Sequence, residues 1–479
     1  MVIAADVFCV GRKRVVFDPR RRGRSSPLSR ATAMLQKPMT LLETAKDLFL
    51  DTLQHLSIAE AMRTRVRCQN ETLQVGELVY DLRKFRRVMV ISIGKAATPM
   101  ADLLLPLLEL GLKRDQTIET IVVGSTRSLE SDPRVRFFAG SHPSPNQTSF
   151  DAADAVLKLL ASCDNRCLVL FLISGGASAM IEKPLDNSIT VDDAAEFYRA
   201  LVLSGLPITQ MNALRKHFSQ VKGGRLAVHA QGATQCTLLI SDVPEDVLHI
   251  VGSGPSLPDP STTEDCRKII SANLDVLDFS DNVLAFFGDL GLEETPKAGH
   301  PAFRNCGWIS LLSSDDLCRI AGESAARLGF HVVVDNRCDD WEYREAATYL
   351  LNRLQELRQQ YPRVCLLSAG EISVRISSKP GSGGRNQQFT LECSRLIAER
   401  KLKATVLSGG SDGVDGNSAA AGAVCDETTA VRAAEHGLDI VAGLERFDSF
   451  PIFNALGDAL ITGPSGNNVR DLRILLSSI

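Results

Sequence analysis

Short apolar runs alternate with amphipathic stretches along most of this chain. Residues 88–93 (Val88-Met89-Val90-Ile91-Ser92-Ile93) read as a buried strand, and 121–123, 168–173 and 237–240 read as three more. Between them, 149–161 and 191–204 place apolar residues at helical spacing. Apolar runs this short, separated by amphipathic segments, predict a mostly parallel sheet with helices on its faces. Residues 256–310 are less regular and rich in turn formers. A second series follows: helix 315–328, strand 331–334, helix 342–359, strand 364–368, a short strand at 374–376, a glycine loop with helix 386–400, and strand 404–407. The expected architecture is two α/β domains with a cleft between them.

Regular periodicity begins at 40–53, where Leu41, Leu42, Ala45, Leu48 and Phe49 recur at helical spacing. The 38 residues before it hold nine Lys/Arg against two Asp/Glu and lack the apolar run of a secretory signal. They read as a basic extension, disordered or targeting, or as sequence ahead of a start at Met34 or Met39. Without them the net charge is −11, against −4 for the whole chain. That balance argues against nucleic acid as a partner and leaves any anionic substrate to local sites. The longest apolar stretch, 99–112, contains Asp102 and Glu109 and is too short to span a bilayer, so no membrane role is expected. The twelve cysteines are scattered, with no C-x-x-C and no zinc spacing. They read as reduced, buried thiols of a cytoplasmic protein. A monomer or homodimer is expected.

Ligands of open α/β sheets bind beyond the carboxyl ends of the strands, and several polar segments fall there. Gly94-Lys95-Ala96-Ala97 follows strand 88–93 and offers a mobile point charge beside small residues. Ser174-Gly175-Gly176-Ala177-Ser178 follows strand 168–173, and its glycines and hydroxyls suit an anion cradle. Segment 212–225 holds Asn212, Arg215, Lys216 and the turn Lys222-Gly223-Gly224-Arg225. Its basic residues read as a solvated helix face or, at the Lys-Gly-Gly turn, as ligand contacts. Asp242 ends strand 237–240, as a base, a metal ligand or a turn cap. Asp412 and Asp415 share a glycine-rich loop after strand 404–407, a pattern that suits magnesium or an unoccupied acidic turn.

The most informative segment is Gly381-Ser382-Gly383-Gly384-Arg385-Asn386-Gln387. Its glycines let backbone N–H groups approach an anion, the following helix adds positive character, and Arg385 adds a planar charged fork. Several chemistries are excluded by pattern. There is no G-x-x-x-x-G-K-[ST], no EF-hand loop, and no G-x-G-x-x-G placed after a strand with an acidic partner. Gly176-Ala177-Ser178-Ala179-Met180 lacks the last glycine of a nucleophile elbow. Lysine, arginine, anion-binding backbone and oxygen ligands together fit phosphoryl transfer from a magnesium nucleotide.

At these same residues the chain resembles class II glycerate kinases, the glycerate 2-kinase family with a C-terminal MOFRL domain. The matching blocks include Gly94-Lys95-Ala96, Gly140-Ser141-His142-Pro143, Ser174 to Ala179, Asn212 to Leu226, Ser241-Asp242-Val243-Pro244, Ser253-Gly254-Pro255, Gly383 to Gln387, Asp412 to Gly416, Phe447 to Phe450 and Thr462 to Val469. They run in order over about residues 40–475. The resemblance implies ATP- and Mg2+-dependent phosphorylation of D-glycerate to 2-phosphoglycerate. It implies a Rossmann-like three-layer N-terminal domain (39–305) and a MOFRL α/β domain (306–479), with the active site in the interdomain cleft. It carries the family's catalytic lysine to Lys95 and its arginine to Arg385. Ala177, Ser411, Glu245 and Gln388 depart from the family pattern, Glu245 adding a charge to the acidic turn.

The expected roles follow. Lys95 and Arg385 neutralise the transferring phosphoryl group or anchor the substrate carboxylate, with the division between them open. Ser174, Gly175, Gly176, Ser178, Asn212, Lys222, Gly383, Gly384 and Asn386 bind phosphate or substrate. Asp242, Asp412 and Asp415 share the tasks of orienting the hydroxyl and holding magnesium, with Asp242 as the expected catalytic carboxylate and Asp412 and Asp415 as the metal pair. Two other readings stay open: an oxidoreductase acting on hydroxypyruvate, and a non-catalytic nucleotide-binding module.

Overall fold

Strand Arg87–Ile93 is buried at nearly every position, which is why it reads as a continuous apolar run rather than an alternating one. It is flanked in parallel by Thr117–Gly124 and Cys167–Ile173. Val135–Ala139 and Thr234–Ile240 extend the sheet on either side, and Cys306–Leu312 adds a sixth parallel strand. The computed structural model describes residues 39–128, 132–241, 245–288, 292–376, 380–465 and 468–478. The basic extension 1–38 and Asp242 therefore lie outside the described residues.

The second sheet is mixed. Its order is His331–Val334, Arg363–Ala369, Asp471–Ser478, Thr405–Gly410, Gly422–Cys425, Ala459–Leu460. Only the first pair is parallel, because the final strand returns between Arg363–Ala369 and Thr405–Gly410 and runs antiparallel to both. Helices Ser314–Arg327, Tyr343–Arg358 and Arg385–Arg400 form as expected, each within two residues of the expected bounds. The expected strand at 374–376 does not form; Ser373 makes one isolated bridge to Glu342 and the chain is otherwise irregular.

The elements cross the division that sequence suggested at 305/306. Cys306–Leu312 pairs with Thr234–Ile240 and so completes the first sheet. Helix Leu41–His55, capped by Thr40 and Glu43, packs instead on Thr405–Gly410, Asp471–Ser478 and helix Ser314–Arg327 of the second. One apolar cluster consequently runs through both sheets, joining Val88, Leu172 and Leu311 to Leu367, Leu407 and Ile474. A three-stranded antiparallel meander, Val66–Gln69, Thr72–Val75 and Leu78–Asp81, precedes the first sheet. Among the described residues no helix is long and apolar enough to cross a membrane.

Phe49 is the anchor of the first helix. It is fully buried, and its ring lies so close to Gly409 that a Cβ there would stand 2.6 Å from Cζ. Phe49→Ala is expected to cost about 3–5 kcal/mol, read as a lowered urea midpoint. An unchanged midpoint would show that this helix does not support the second sheet.

Candidate active site

The carboxyl ends of the central parallel strands interlock. Ser174 Oγ accepts a hydrogen bond from the Ala96 N–H at 3.0 Å, and the Lys95 N–H donates to the Gly175 carbonyl at 2.9 Å. Gly94 sits at φ +124° against Ser174, where any side chain would collide with the serine backbone. Ser174 and Gly175 therefore hold the neighbouring loop, and Ser174 is only 2% exposed. Helix Ala177–Met180 is a single turn, so the anion cradle expected at its start is not built on a helix of useful length. What the clasp presents is Lys95. Its side chain runs beside Gly176 and His142, and its ammonium has no hydrogen bond or ion pair to any described residue. The His142 imidazole is held below its ordinary pKa by desolvation and by the positive charges of Lys95 and Arg215.

Ser178 and Asn212 meet through a third residue. Ser253 Oγ donates to Asn212 Oδ1 at 2.9 Å, which leaves Ser178 to donate to Ser253 across 2.7 Å. Ser253 stands between Gly252 and Gly254 in a run of three residues with φ near +58°. The Lys222-Gly223-Gly224 turn docks on that loop, with Gly223 N–H donating to the Ser253 carbonyl and Gly224 N–H to the Gly254 carbonyl.

Segment 212–225 is not a solvated face. Every residue from Asn212 to Phe218 on helix Ile208–Phe218 is buried. Lys216 pairs with Asp259 at 2.8 Å, and Lys222 pairs with Glu182 at 2.8 Å with neither side chain exposed. Lys222 also donates to the Ile181 carbonyl, and Tyr198 donates to the same Glu182 oxygen at 2.6 Å. The expectation that Lys222 touches ligand is thus corrected: its ammonium is consumed inside the fold.

The second constellation lies on the second sheet. Arg385 pairs with Asp471 through Nε and Nη2 at 2.6 and 3.1 Å, and Nη2 also reaches Glu371 at 2.8 Å. Nη1 has no partner among the described residues. The flanking carboxylates hold the guanidinium charged, above even its ordinary pKa, against the cost of its burial. A cavity of about 760 Å³ is lined by Arg385, Gly383, Gly384, Asp412, Asp415 and Asn417, among others, a size that suits a small-molecule ligand. Arg385 and Lys95 share no contact: both carboxylates on Arg385 belong to the second-sheet side.

Comparison with known proteins shows the family. Residues 44–288 match the family model described as a domain of unknown function, DUF4147, and residues 364–471 match the MOFRL family. A glycerate 2-kinase from Pyrococcus horikoshii is 32% identical over 81% of this chain and 87% of its own. The chain belongs to the glycerate 2-kinase family. A relative from Agrobacterium vitis, provisionally named a hydroxypyruvate reductase, is 34% identical over 81% of this chain and 87% of its own. The crystal structure of a Thermotoga maritima glycerate kinase covers 91% of this chain and 99% of its own, at 29% identity and a TM-score of 0.76.

Within this glycerate 2-kinase-family fold the glycine loop at 381–387 differs from its expected use. The N–H groups of Asn386 and Gln387, and both of their side-chain amides, donate to Asp415. Ser382 N–H donates to Asp448 and Gly383 N–H to Asn417. The anion at this helix start is the protein's own carboxylate. The glycines allow close packing: Gly384 lies against Asp415, Gly383 against Ser449 and Gly381 against Asp448 with no room for a Cβ. The cradle expected at Gly383, Gly384 and Asn386 is filled.

Asp415 is likewise corrected as a metal ligand, since both its oxygens are engaged. Burial pushes its carboxyl up to about 6 despite those bonds. Among the described residues no group of three His, Cys, Asp or Glu side chains could hold a metal ion. Sequence reasoning passed over Arg215 and His142 as site residues. The Gly140 to Pro143 block was the available signal for His142; nothing local marks Arg215 as buried.

Asp415→Asn should lower thermal stability by about 1–3 kcal/mol, equally in EDTA and in magnesium. A variant of wild-type stability with an altered magnesium requirement would restore the metal role.

Proposed function

We propose that this chain catalyses ATP-dependent phosphorylation of D-glycerate at its 2-hydroxyl, giving 2-phosphoglycerate. The observation that carries the reading is the pair of cations left open at two strand-end clusters, Lys95 and the Nη1 edge of Arg385, in a chain of the glycerate 2-kinase family. Phosphoryl transfer asks the protein chiefly to position groups and neutralise charge. Lys95 supplies a mobile ammonium that follows the transferring oxygens. Asp471 fixes Arg385 through Nε and Nη2, so its free edge is presented without rotamer search. Ser178, tied through the buried Ser253 to Asn212, orients the substrate hydroxyls. D-glycerate and ATP meet between the two constellations. An interdomain cleft, between a first domain that takes in Cys306–Leu312 and a second that takes in Leu41–His55, and a cytoplasmic monomer or homodimer belong to this proposal.

Magnesium does not fit the expected pair of ligands. Asp415 caps a helix, and Asp412 Oδ1 accepts from the Val414 N–H at 3.0 Å. The hydroxypyruvate reductase reading draws only on the name of the Agrobacterium vitis relative. The chain has no nicotinamide fingerprint to support it.

Incubation with ATP, magnesium and D-glycerate should yield a product that enolase consumes directly. A product that enolase uses only after phosphoglycerate mutase is added would move the phosphoryl group to the 3-hydroxyl. NADH oxidation with hydroxypyruvate, and no ATP use, would replace the kinase reading.

Arg385→Ala should lower kcat by about 10³-fold or more, on the scale of other phosphoryl-transfer arginines. Lys95→Ala should abolish measurable turnover while leaving the unfolding midpoint unchanged, since the ammonium bonds to no described residue. Either variant within tenfold of wild type would remove that residue from the mechanism.

A further inference from the structure

Four cations of segment 212–225 are buried, and three are provided for. Lys216 has Asp259, Lys222 has Glu182, and Arg225 donates to the carbonyls of Lys216 and Glu293. Arg215 is the exception. It is 8% exposed, makes no hydrogen bond to any described residue, and its buried Nε is unpartnered. Its guanidinium is held against the face of Tyr198, 4.8 Å from the ring centroid. Among the described residues the one carboxylate whose charge it feels is Glu182, already committed to Lys222, Tyr198 and the Lys183 N–H. Glu182, Lys222 and Arg215 together leave one positive charge uncompensated.

A buried charge without hydrogen-bond partners is costly, and folds that keep one generally supply an anion for it. Arg215 follows Asn212 by three residues on helix Ile208–Phe218, and Asn212 is tied through Ser253 to Ser178, which sets Arg215 at the same strand-end cluster as the open lysine; its charge and that of Lys95 both bear on His142. The two cations differ in kind. Lys95 is an exposed, flexible point charge; Arg215 is a planar fork fixed by stacking on an aromatic face. A carboxylate is the planar, bidentate complement of such a fork.

We infer that Arg215 binds the carboxylate of the substrate, leaving Lys95 for the phosphoryl oxygens. This rests on the kinase reading and divides its roles. Of three-carbon polyols, the site then selects those carrying an acid group at the carbon beside the reacting hydroxyl. Glycerol, which lacks it, gains nothing from Arg215.

The test uses the full chain, wild type and the variants Arg215→Lys and Arg215→Ala. Both variants should raise KM for D-glycerate by about 100-fold, the scale of losing one partner of a buried charge pair. KM for ATP should stay within about threefold of wild type on that scale. The kcat/KM for glycerol should be equal in wild type and variants, and guanidinium ion should partly restore glycerate use by Arg215→Ala. Calorimetric titration of D-glycerate without nucleotide should show binding to wild type and none to Arg215→Lys, a readout independent of turnover. Unchanged glycerate KM, or an equal rise in both KM values, would overturn the assignment. Arg215→Lys keeps the charge and so serves if Arg215→Ala does not fold. Wild-type protein that binds glycerate but does not phosphorylate it would overturn the kinase reading and leave Arg215 as the carboxylate site.

Discussion

The clasp between two neighbouring strand ends is the constraint on which the first constellation depends. Strands Arg87–Ile93 and Cys167–Ile173 run parallel and in register, so their loops emerge side by side. Loops that emerge side by side must satisfy each other's backbone groups or leave them buried and unpaired. Here they do so directly, through Ser174 Oγ to Ala96 N–H and Gly175 carbonyl to Lys95 N–H. The contact is close enough to require glycine at 94. Its consequence is asymmetric: the backbone of Lys95 is pinned while its ammonium stays free. A catalytic lysine needs that combination, a fixed origin and a mobile tip.

Beneath the clasp the protein buries charge on a scale that packing alone does not call for. Replacing pairs such as Lys222–Glu182 by apolar groups of equal volume is often neutral or stabilising. These pairs do something apolar groups cannot. Glu182 gathers Lys222 and Tyr198 on one oxygen, and Tyr198 in turn offers its ring to Arg215, its hydroxyl oxygen lying 2.9 Å from the Ser178 carbonyl. One buried carboxylate thus sets the positions of two site elements without touching substrate itself. The cost of burying it is spread over three hydrogen bonds, which is the condition under which such a group is tolerated.

The regular elements were legible because their periodicity is local. Strand 88–93 is apolar but for Ser92, whose hydroxyl donates to the Ala97 carbonyl, since helices cover both faces of its sheet, and helix Arg385–Arg400 starts within one residue of its expected position. The partnership of elements was not legible. Nothing near Leu41–His55 says that it packs on strands hundreds of residues away, and nothing near Cys306–Leu312 says which sheet it joins. The same limit governed the site. The composition of the 381–387 loop suggests an anion, and an anion is there, but it is Asp415 from another loop. Segment 212–225 looks like a solvated face because basic residues usually are one; only the tertiary positions of Glu182 and Asp259 reverse that reading.

The two arginines that remain for chemistry sit in opposite fields. Around Arg385, Arg470 and Arg473 stand Glu371, Asp471, Asp339, Asp412 and Asp415, five carboxylates against three guanidiniums. Among the described residues no carboxylate around Arg215 and Lys95 is uncommitted, because Glu182 already serves Lys222. A polyanion approaching the second sheet meets a field of its own sign unless it brings counter-charge with it. A lone carboxylate approaching the first sheet meets an uncompensated cation and needs none. A magnesium-bound nucleotide carries such counter-charge and glycerate does not. On electrostatic grounds alone, the small acid belongs with Arg215, and the edge of Arg385 becomes favourable only to an anion already partly neutralised.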